Sequence, residues 1–243
     1  IVLADRLAIF VNNAYEDIEN LDGISAATAI LFFTFQLYLD FSAYSDIAIG
    51  SSKMMGFNLS LNFKRPYLSN SFSDFWKRWH ISLSSWFKDY LYIPLGGNKV
   101  VKSRKMLNIM IVFMVSGLWH GASWNFVIWG FINGLFILIF DSLLFQNNNT
   151  FLKKISASIF ITTSWSLSLV FFRSPTISDS YNLFCKLMTP GKNILYEFGL
   201  NTLEFNFTCK LLLAFIIFEI LNEKISKIYE YFSKLNFLLR WTF

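Results

Sequence analysis

The chain has 243 residues, of which 54% are hydrophobic, 19% aromatic and only 15% charged, with a formal net charge of +5. Soluble globular domains carry about 25% charged residues, so this chain has too little polar material to coat a water-facing surface. That excludes an ordinary soluble domain and points to a membrane protein with several helical spans.

The opening, "IVLADRLAIFVNNAYED", has no initiator Met, no basic n-region and no cleavage site, so it does not read as a signal peptide. It reads as the middle of a longer chain. Residues 24–49 are long enough to span a bilayer, with Asp40 and Asp46 in their second half. Six residues apart, these carboxylates fall on different faces of a helix. Each is expected to pair with a basic residue or to orient a histidine. From Lys53 to Lys105 there are ten Lys/Arg against two acids, Asp74 and Asp89. The basic loop "KVVKSRK", 99–105, is expected on the cytoplasmic side of the membrane. Embedded in membrane-type sequence, the basic stretch does not read as a nucleic-acid patch.

Inside this region, 72–90 reads "FSDFWKRWHISLSSWFKDY". Its aromatic and apolar residues recur at i, i+3, i+4 and i+7, which predicts one amphipathic helix at the interface. Ser71 with Asp74 is a weaker form of the capping box, and "IPLGGN", 93–98, ends the helix. Residues 106–118 are too short to span alone and are predicted to pair with 123–145 across a break at Gly117–Gly121. Residues 145–151 read as a polar turn and 155–172 as another span. A mixed loop with Pro175 and Pro190 fills 173–206, and a last helix begins at 208–222 and runs on to about residue 235. Cys185 and Cys209 lie in different segments without CxxC or histidine spacing, so neither a disulfide nor a zinc site is expected.

The chain has two histidines, His80 and His120. His120 stands in the break, in "SGLWHGASWNFVIWG", 116–130. Irregular backbone at membrane depth is tolerated only where it is buried in protein or lines a wet cavity. An ionisable residue there is a functional candidate by default. A neutral buried imidazole can act as a general base; the alternative is a packed, hydrogen-bonded core histidine. His80 borders the aromatic face of the amphipathic helix, one turn before Ser84, either as a partner of His120 or as an interfacial residue without a role. Tyr38, Tyr44, Tyr90 and Tyr92 carry hydroxyls able to donate to a substrate. No GxSxG, P-loop, GxGxxG or HExxH motif is present.

Three blocks, "YLDFSAYSDIAIG" (38–50), "NFKRPYLSNSFSDFWKRWHISLSSWFKDYLYIPLGG" (62–97) and "SGLWHGASWNFVIWG", resemble the membrane-bound O-acyltransferase family. They are most similar to its bacterial branch that acetylates alginate and related cell-surface polysaccharides, as is the opening "IVLADRLA". The ordered resemblance covers roughly residues 1–140. It implies an all-α polytopic fold around a tunnel, with interfacial or re-entrant amphipathic helices. The chain would be one membrane-embedded region, 1–243, with a motif core at 38–130, C-terminal transmembrane helices at 155–243 and the family's N-terminal helices missing.

The resemblance further implies that His120 is catalytic and His80 its companion. Trp119, Trp79, Tyr90, Asp40, Asp46, Ser84 and Asn125 would line the tunnel or meet substrate. The acyl donor would be acetyl-CoA or another acyl thioester, with no tightly bound cofactor and no metal. Partners would be the lipid bilayer, a periplasmic acetyltransferase and a cell-surface polysaccharide, at the bacterial inner membrane. In that mechanism His120 deprotonates an acceptor hydroxyl, and His80 or backbone N–H groups stabilise the oxyanion. Two departures are Ala43 where glycine is common and Lys88 where arginine is common; lysine cannot reproduce a bidentate contact. Two other classes remain open: a transporter, and a non-catalytic member of an export complex.

Overall fold

The computed structural model describes residues 1–143, 150–191 and 198–224. Every regular element among the described residues is helical. The order is α1 (Val2–Glu16), α2 (Gly23–Met54), α3 (Phe72–Trp76), α4 (Ile81–Phe87), α5 (Lys102–His120), α6 (Trp124–Leu143), α7 (Phe151–Arg173), α8 (Ile177–Leu187) and α9 (Thr202–Lys224). Short 3-10 turns lie at Ile18–Asn20 and Pro66–Leu68, and a π turn at Lys88–Tyr92.

Among the described residues three helices are long and apolar enough to cross a membrane: α2, residues 124–141 of α6 and residues 152–173 of α7. The spans expected at 24–49 and 155–172 are α2 and α7, each extended at its ends. The Asp22 side chain caps α2 by accepting from the Ser25 N–H at 2.7 Å. The last helix among the described residues is α9; its expected continuation to 235 lies outside them, as does the turn expected at 145–151 except for Thr150 and Phe151, where α7 begins.

Two segments to which no helix was assigned are helical. The opening residues form α1, whose Leu7, Phe10, Val11 and Ala14 are fully buried against α2. Phe10 meets Phe32 of α2 edge-on at 5.4 Å and Phe205 of α9 at 5.9 Å, so one aromatic cluster ties the three helices. The mixed loop 173–206 contains α8. Thr176 and Asp179 form a reciprocal capping box at its start. That Thr-x-x-Asp spacing directly after Pro175 was the signal for it.

The α5–α6 hairpin differs from the expected break. Residues 102–120 are continuous helix, and the chain turns only at Gly121–Ser123. Gly117 belongs to the helix, and a Cβ on it would lie 2.1 Å from the carbonyl oxygen of Phe126. Gly130 of α6 meets α5 in the same way, at 2.3 Å from the Phe113 carbonyl oxygen. Among lipids, apolar surface gives no hydrophobic drive for helices to associate, so small residues that let backbones touch take over that work. The two glycines set this hairpin.

The single amphipathic helix expected over 72–90 is divided. It ends at Trp76, resumes at Ile81, and widens to a π turn at Lys88. The reason is pairing with the preceding segment. The Lys64 N–H donates to the Arg78 carbonyl and the Ile81 N–H to the Asn62 carbonyl, both at 2.9 Å. Those bonds pull 78–81 out of helical geometry, and His80 takes a left-handed φ of 44°. The cap on α3 is also only half the predicted box. The Ser71 hydroxyl accepts from the Asp74 N–H, but the Asp74 carboxylate turns to the Asn70 N–H and to Arg78. Instead Asp141, from α6, accepts from the Phe72 and Ser73 N–H groups at 2.8 and 2.9 Å.

Candidate active site

A cavity of about 1150 Å³ opens between α2, the 72–92 segment, α5, α6 and α7. Its apolar wall includes Phe41, Trp79, Trp119, Trp129, Trp165 and Phe172. Lys77, Lys88, Lys102 and Lys105 also line it, and none of them has an ion-pair partner among the described residues. His80 and His120 both face this space.

The last residue of α5 is His120. Four rings surround it: Trp119 and Phe172 with centroids at 5.0 Å, Trp129 at 5.2 Å and Phe126 at 6.3 Å. Three of the four contacts are edge-on, the arrangement aromatic quadrupoles favour. Neither ring nitrogen of His120 has a hydrogen-bond partner among the described residues. The packed, hydrogen-bonded core histidine is therefore not what the structure contains. The imidazole is fixed by shape, with its polar atoms left for something in the cavity.

His80 is held in the opposite manner. It precedes α4 in its left-handed turn, a strained conformation for a residue with a Cβ. Its Nδ1 lies 3.2 Å from Asn62 Oδ1 and 3.4 Å from Ser82 Oγ. The same Asn62 oxygen accepts from the Ser82 N–H at 3.2 Å and the Ser82 hydroxyl at 3.0 Å. The Asn62 amide nitrogen donates to Ser45 Oγ of α2 at 3.3 Å. Phe41 packs edge-on against the His80 ring at 4.7 Å.

Trp119 links the two histidines, 5.0 Å from His120 and 6.4 Å from His80. Neither histidine lies in one of the three helices apolar enough to cross a membrane. Burial pushes both imidazoles below the ordinary histidine value, and for His120 the neighbouring His80 adds to the effect. Removing a cation from water is unfavourable, so burial disfavours the charged form of both rings.

Behind His80 lies a polar network that sequence reading missed. Glu223 of α9 accepts from Arg65 and, at 3.0 Å, from Arg78; Arg78 also donates to Asp74 at 3.0 Å. Glu219, one turn earlier on α9, accepts from the Tyr38 hydroxyl at 2.9 Å. These bonds lock the C-terminal helix to the segment that carries His80. Arg65 and Arg78 were visible only as positive charges, and their partner is 145 residues from Arg78.

Of the residues singled out from sequence, His80, His120, Trp79, Trp119 and Ser84 share the cavity wall. The Ser84 hydroxyl donates back to the Trp79 carbonyl at 3.2 Å. Four others do not line it. Tyr90, on the π turn, is 69% exposed and packs at a tilt against Trp86 at 5.4 Å. Asp40 and Asp46 lie on the exposed face of α2 and make no ion pair among the described residues. Asn125 is buried and donates to the Ser174 carbonyl at 2.8 Å, tying α6 to the end of α7. Tyr92 and Asn98 line the cavity beside the lysines. Both cysteines are free thiols. Among the described residues no group of three or more His, Cys, Asp or Glu is arranged to hold a metal ion.

A family model described as "MBOAT, membrane-bound O-acyltransferase family" matches residues 3–172. The chain is 34% identical over 223 residues to a probable alginate O-acetylase AlgI of Azotobacter vinelandii, covering 90% of this chain and 44% of the relative. It is 37% identical over 182 residues to a peptidoglycan O-acetyltransferase of Helicobacter pylori, covering 74% of this chain and 34% of the relative. It is also 34% identical over 160 residues to a teichoic acid D-alanyltransferase of Streptococcus thermophilus, covering 62% of this chain and 39% of the relative. The chain thus spans between 34% and 44% of the length of these three proteins.

Proposed function

The chain belongs to the membrane-bound O-acyltransferase family, and from that membership we propose that it carries the histidine pair of a bacterial inner-membrane O-acyltransferase. The observation that carries this reading is one cavity lined by both histidines and, in the same wall, by four lysines without an ion-pair partner among the described residues. The donor is an acyl thioester such as acetyl-CoA. Its anionic phosphates meet Lys77, Lys88, Lys102 and Lys105, and its acyl end reaches the aromatic wall. The basic loop 99–105 supports an entrance on the cytoplasmic side. The acceptor is a hydroxyl of a cell-envelope polymer, or of a periplasmic transferase that passes the acyl group on. The names of the relatives, which include alginate, peptidoglycan and teichoic acid, support the polymer class.

His120 is the general base. It takes the proton of the acceptor hydroxyl as the oxygen forms a bond to the thioester carbonyl carbon. The tetrahedral intermediate then collapses, the carbon–sulfur bond breaks, and the proton on His120 passes to the departing thiolate. Ester and free thiol are the products, and His120 is again neutral. A ring without a hydrogen-bond partner among the described residues suits this work, since none of them competes for its lone pair.

His120→Ala in the intact protein tests the assignment. Acetylation of the cell-surface polymer should fall by roughly 10²–10⁴-fold, the usual size of a general-base effect. Membrane insertion should be unchanged. Normal acetylation in this variant sinks the assignment, and export that persists without acyl transfer points to a transporter.

A further inference from the structure

The hydrogen bonds around Asn62 decide which nitrogen of His80 carries its proton. The backbone N–H of Ser82 can only donate, so the Asn62 side-chain atom that it meets at 3.2 Å is the oxygen. The same oxygen lies 3.2 Å from His80 Nδ1, and an amide oxygen can only accept. The nitrogen facing it must therefore carry hydrogen. Ser82 Oγ, which gives its own proton to Asn62 Oδ1, is 3.4 Å from Nδ1 and offers a second lone pair to the same N–H. The Ser82 hydroxyl is the one other donor in this cluster, and its proton goes to Asn62 Oδ1, which is closer at 3.0 Å than Nδ1 at 3.4 Å.

From this we propose that Asn62 is a positioning residue that holds neutral His80 as its Nδ1–H tautomer, leaving the unprotonated Nε2 as a hydrogen-bond acceptor for the reaction. Nε2 has no partner among the described residues, on a ring that lines the cavity. The inference rests on the acyl-transfer reading for its chemical meaning, and it changes the role expected of His80. Stabilising an oxyanion requires a donor. In this tautomer the only N–H of the ring is committed to Asn62, so His80 serves the proton-bearing side of the reaction, and oxyanion stabilisation falls to other groups. Asn62 is well placed for this task. Its carbonyl binds the Ile81 N–H at 2.9 Å, and its amide nitrogen is anchored to Ser45. The left-handed turn at His80 is thus gripped from backbone and side chain at once.

The test uses the intact protein in detergent with 15N-labelled histidine, with His80→Ala used to assign the signal. The wild type should show His80 protonated on Nδ1 and bare on Nε2. Asn62→Ala should lose that preference and lower kcat by about ten-fold or more with KM little changed, as when an orienting partner of a functional histidine is removed. Asn62→Asp, which keeps the accepting oxygen, should retain the Nδ1–H form and recover most of kcat. A wild-type His80 protonated on Nε2 overturns the proposal. So does an Asn62→Ala variant with unaltered tautomer and kcat. If Asn62→Ala fails to fold, the wild-type and Asn62→Asp spectra decide alone. The tautomer is read without turnover, so a clean Nδ1–H signal in a protein with no acyl transfer keeps this inference and rejects the enzymatic reading.

Discussion

His120 sits at the end of a regular helix and is held by rings, whereas His80 sits in a left-handed turn and is held by hydrogen bonds. The difference follows from the backbone around each. In α5 and α6 the helical ladder satisfies its own N–H and C=O groups, so the hairpin is free to pack through bare backbone at Gly117 and Gly130. Its functional side chain then needs only shape. From 62 to 92 the chain is broken into short turns, which leaves polar groups in need of partners. Asn62, Ser82, Asp74, Asp141 and Glu223 meet that need, and in doing so they orient what they bind. One region can leave its histidine's tautomer open; the other imposes one.

The largest expected effect attacks the hairpin. In Gly117→Leu the new side chain starts against backbone atoms of Phe126, which no rotamer change relieves. Overpacking of this kind costs about 3 kcal/mol. The yield of folded, monodisperse protein extracted from membranes should fall sharply. An unchanged yield would show that the α5–α6 approach tolerates separation.

Next in size is the polar region. Glu223→Leu leaves Arg65 and Arg78 without their shared acceptor, and a hydrogen bond to a charged group contributes about 2 kcal/mol. The thermal midpoint in detergent should drop, and acyl transfer should weaken although α9 lies behind the cavity wall. A variant with wild-type midpoint and turnover would mean that the His80 segment holds its shape without α9.

The pH dependence bears on both histidines at once. Burial depresses both imidazoles, and the neutral form is the one that accepts a proton. As pH falls, a base with a lowered value stays neutral longer, so the acid limb of the rate profile moves to lower pH. Transfer measured against pH should hold level down to about 6.5, the ordinary histidine value, and decline only below it. An acid limb at or above that value would contradict the burial of the pair.

The smallest effect is at Tyr90. Its hydroxyl is outside the cavity, so Tyr90→Phe should leave both kcat and KM unchanged. A clear loss in steady-state kinetics would place a substrate surface on the outer face of the π turn.

Much of this was legible in the residues themselves. Hydropathy located α2 and α7, and the WHG and RWHIS blocks led to His120 and His80, which the fold brings to one cavity. The errors were of two physical kinds. Apolar periodicity over 72–90 hid the break at Lys77–His80, because period 3.6 persists in sequence even when tertiary bonds interrupt the helix. Tyr90 shared that periodicity and was grouped with the wall, but on the π turn it is exposed. Glycine at 117 was read as a breaker, when its missing Cβ served a close helix contact.

By itself, then, the sequence determined the membrane class, the long apolar helices and the two histidine-bearing blocks, because each depends on residues within a few positions of one another. Only the tertiary structure decided that Asn62 meets His80 from 18 residues away and that Glu223 meets Arg78 from 145. It also decided that His120 is enclosed by four rings and has no hydrogen-bond partner among the described residues. Such pairings depend on how the whole chain turns back on itself, and no local pattern of charge or hydropathy encodes which donor will face which acceptor.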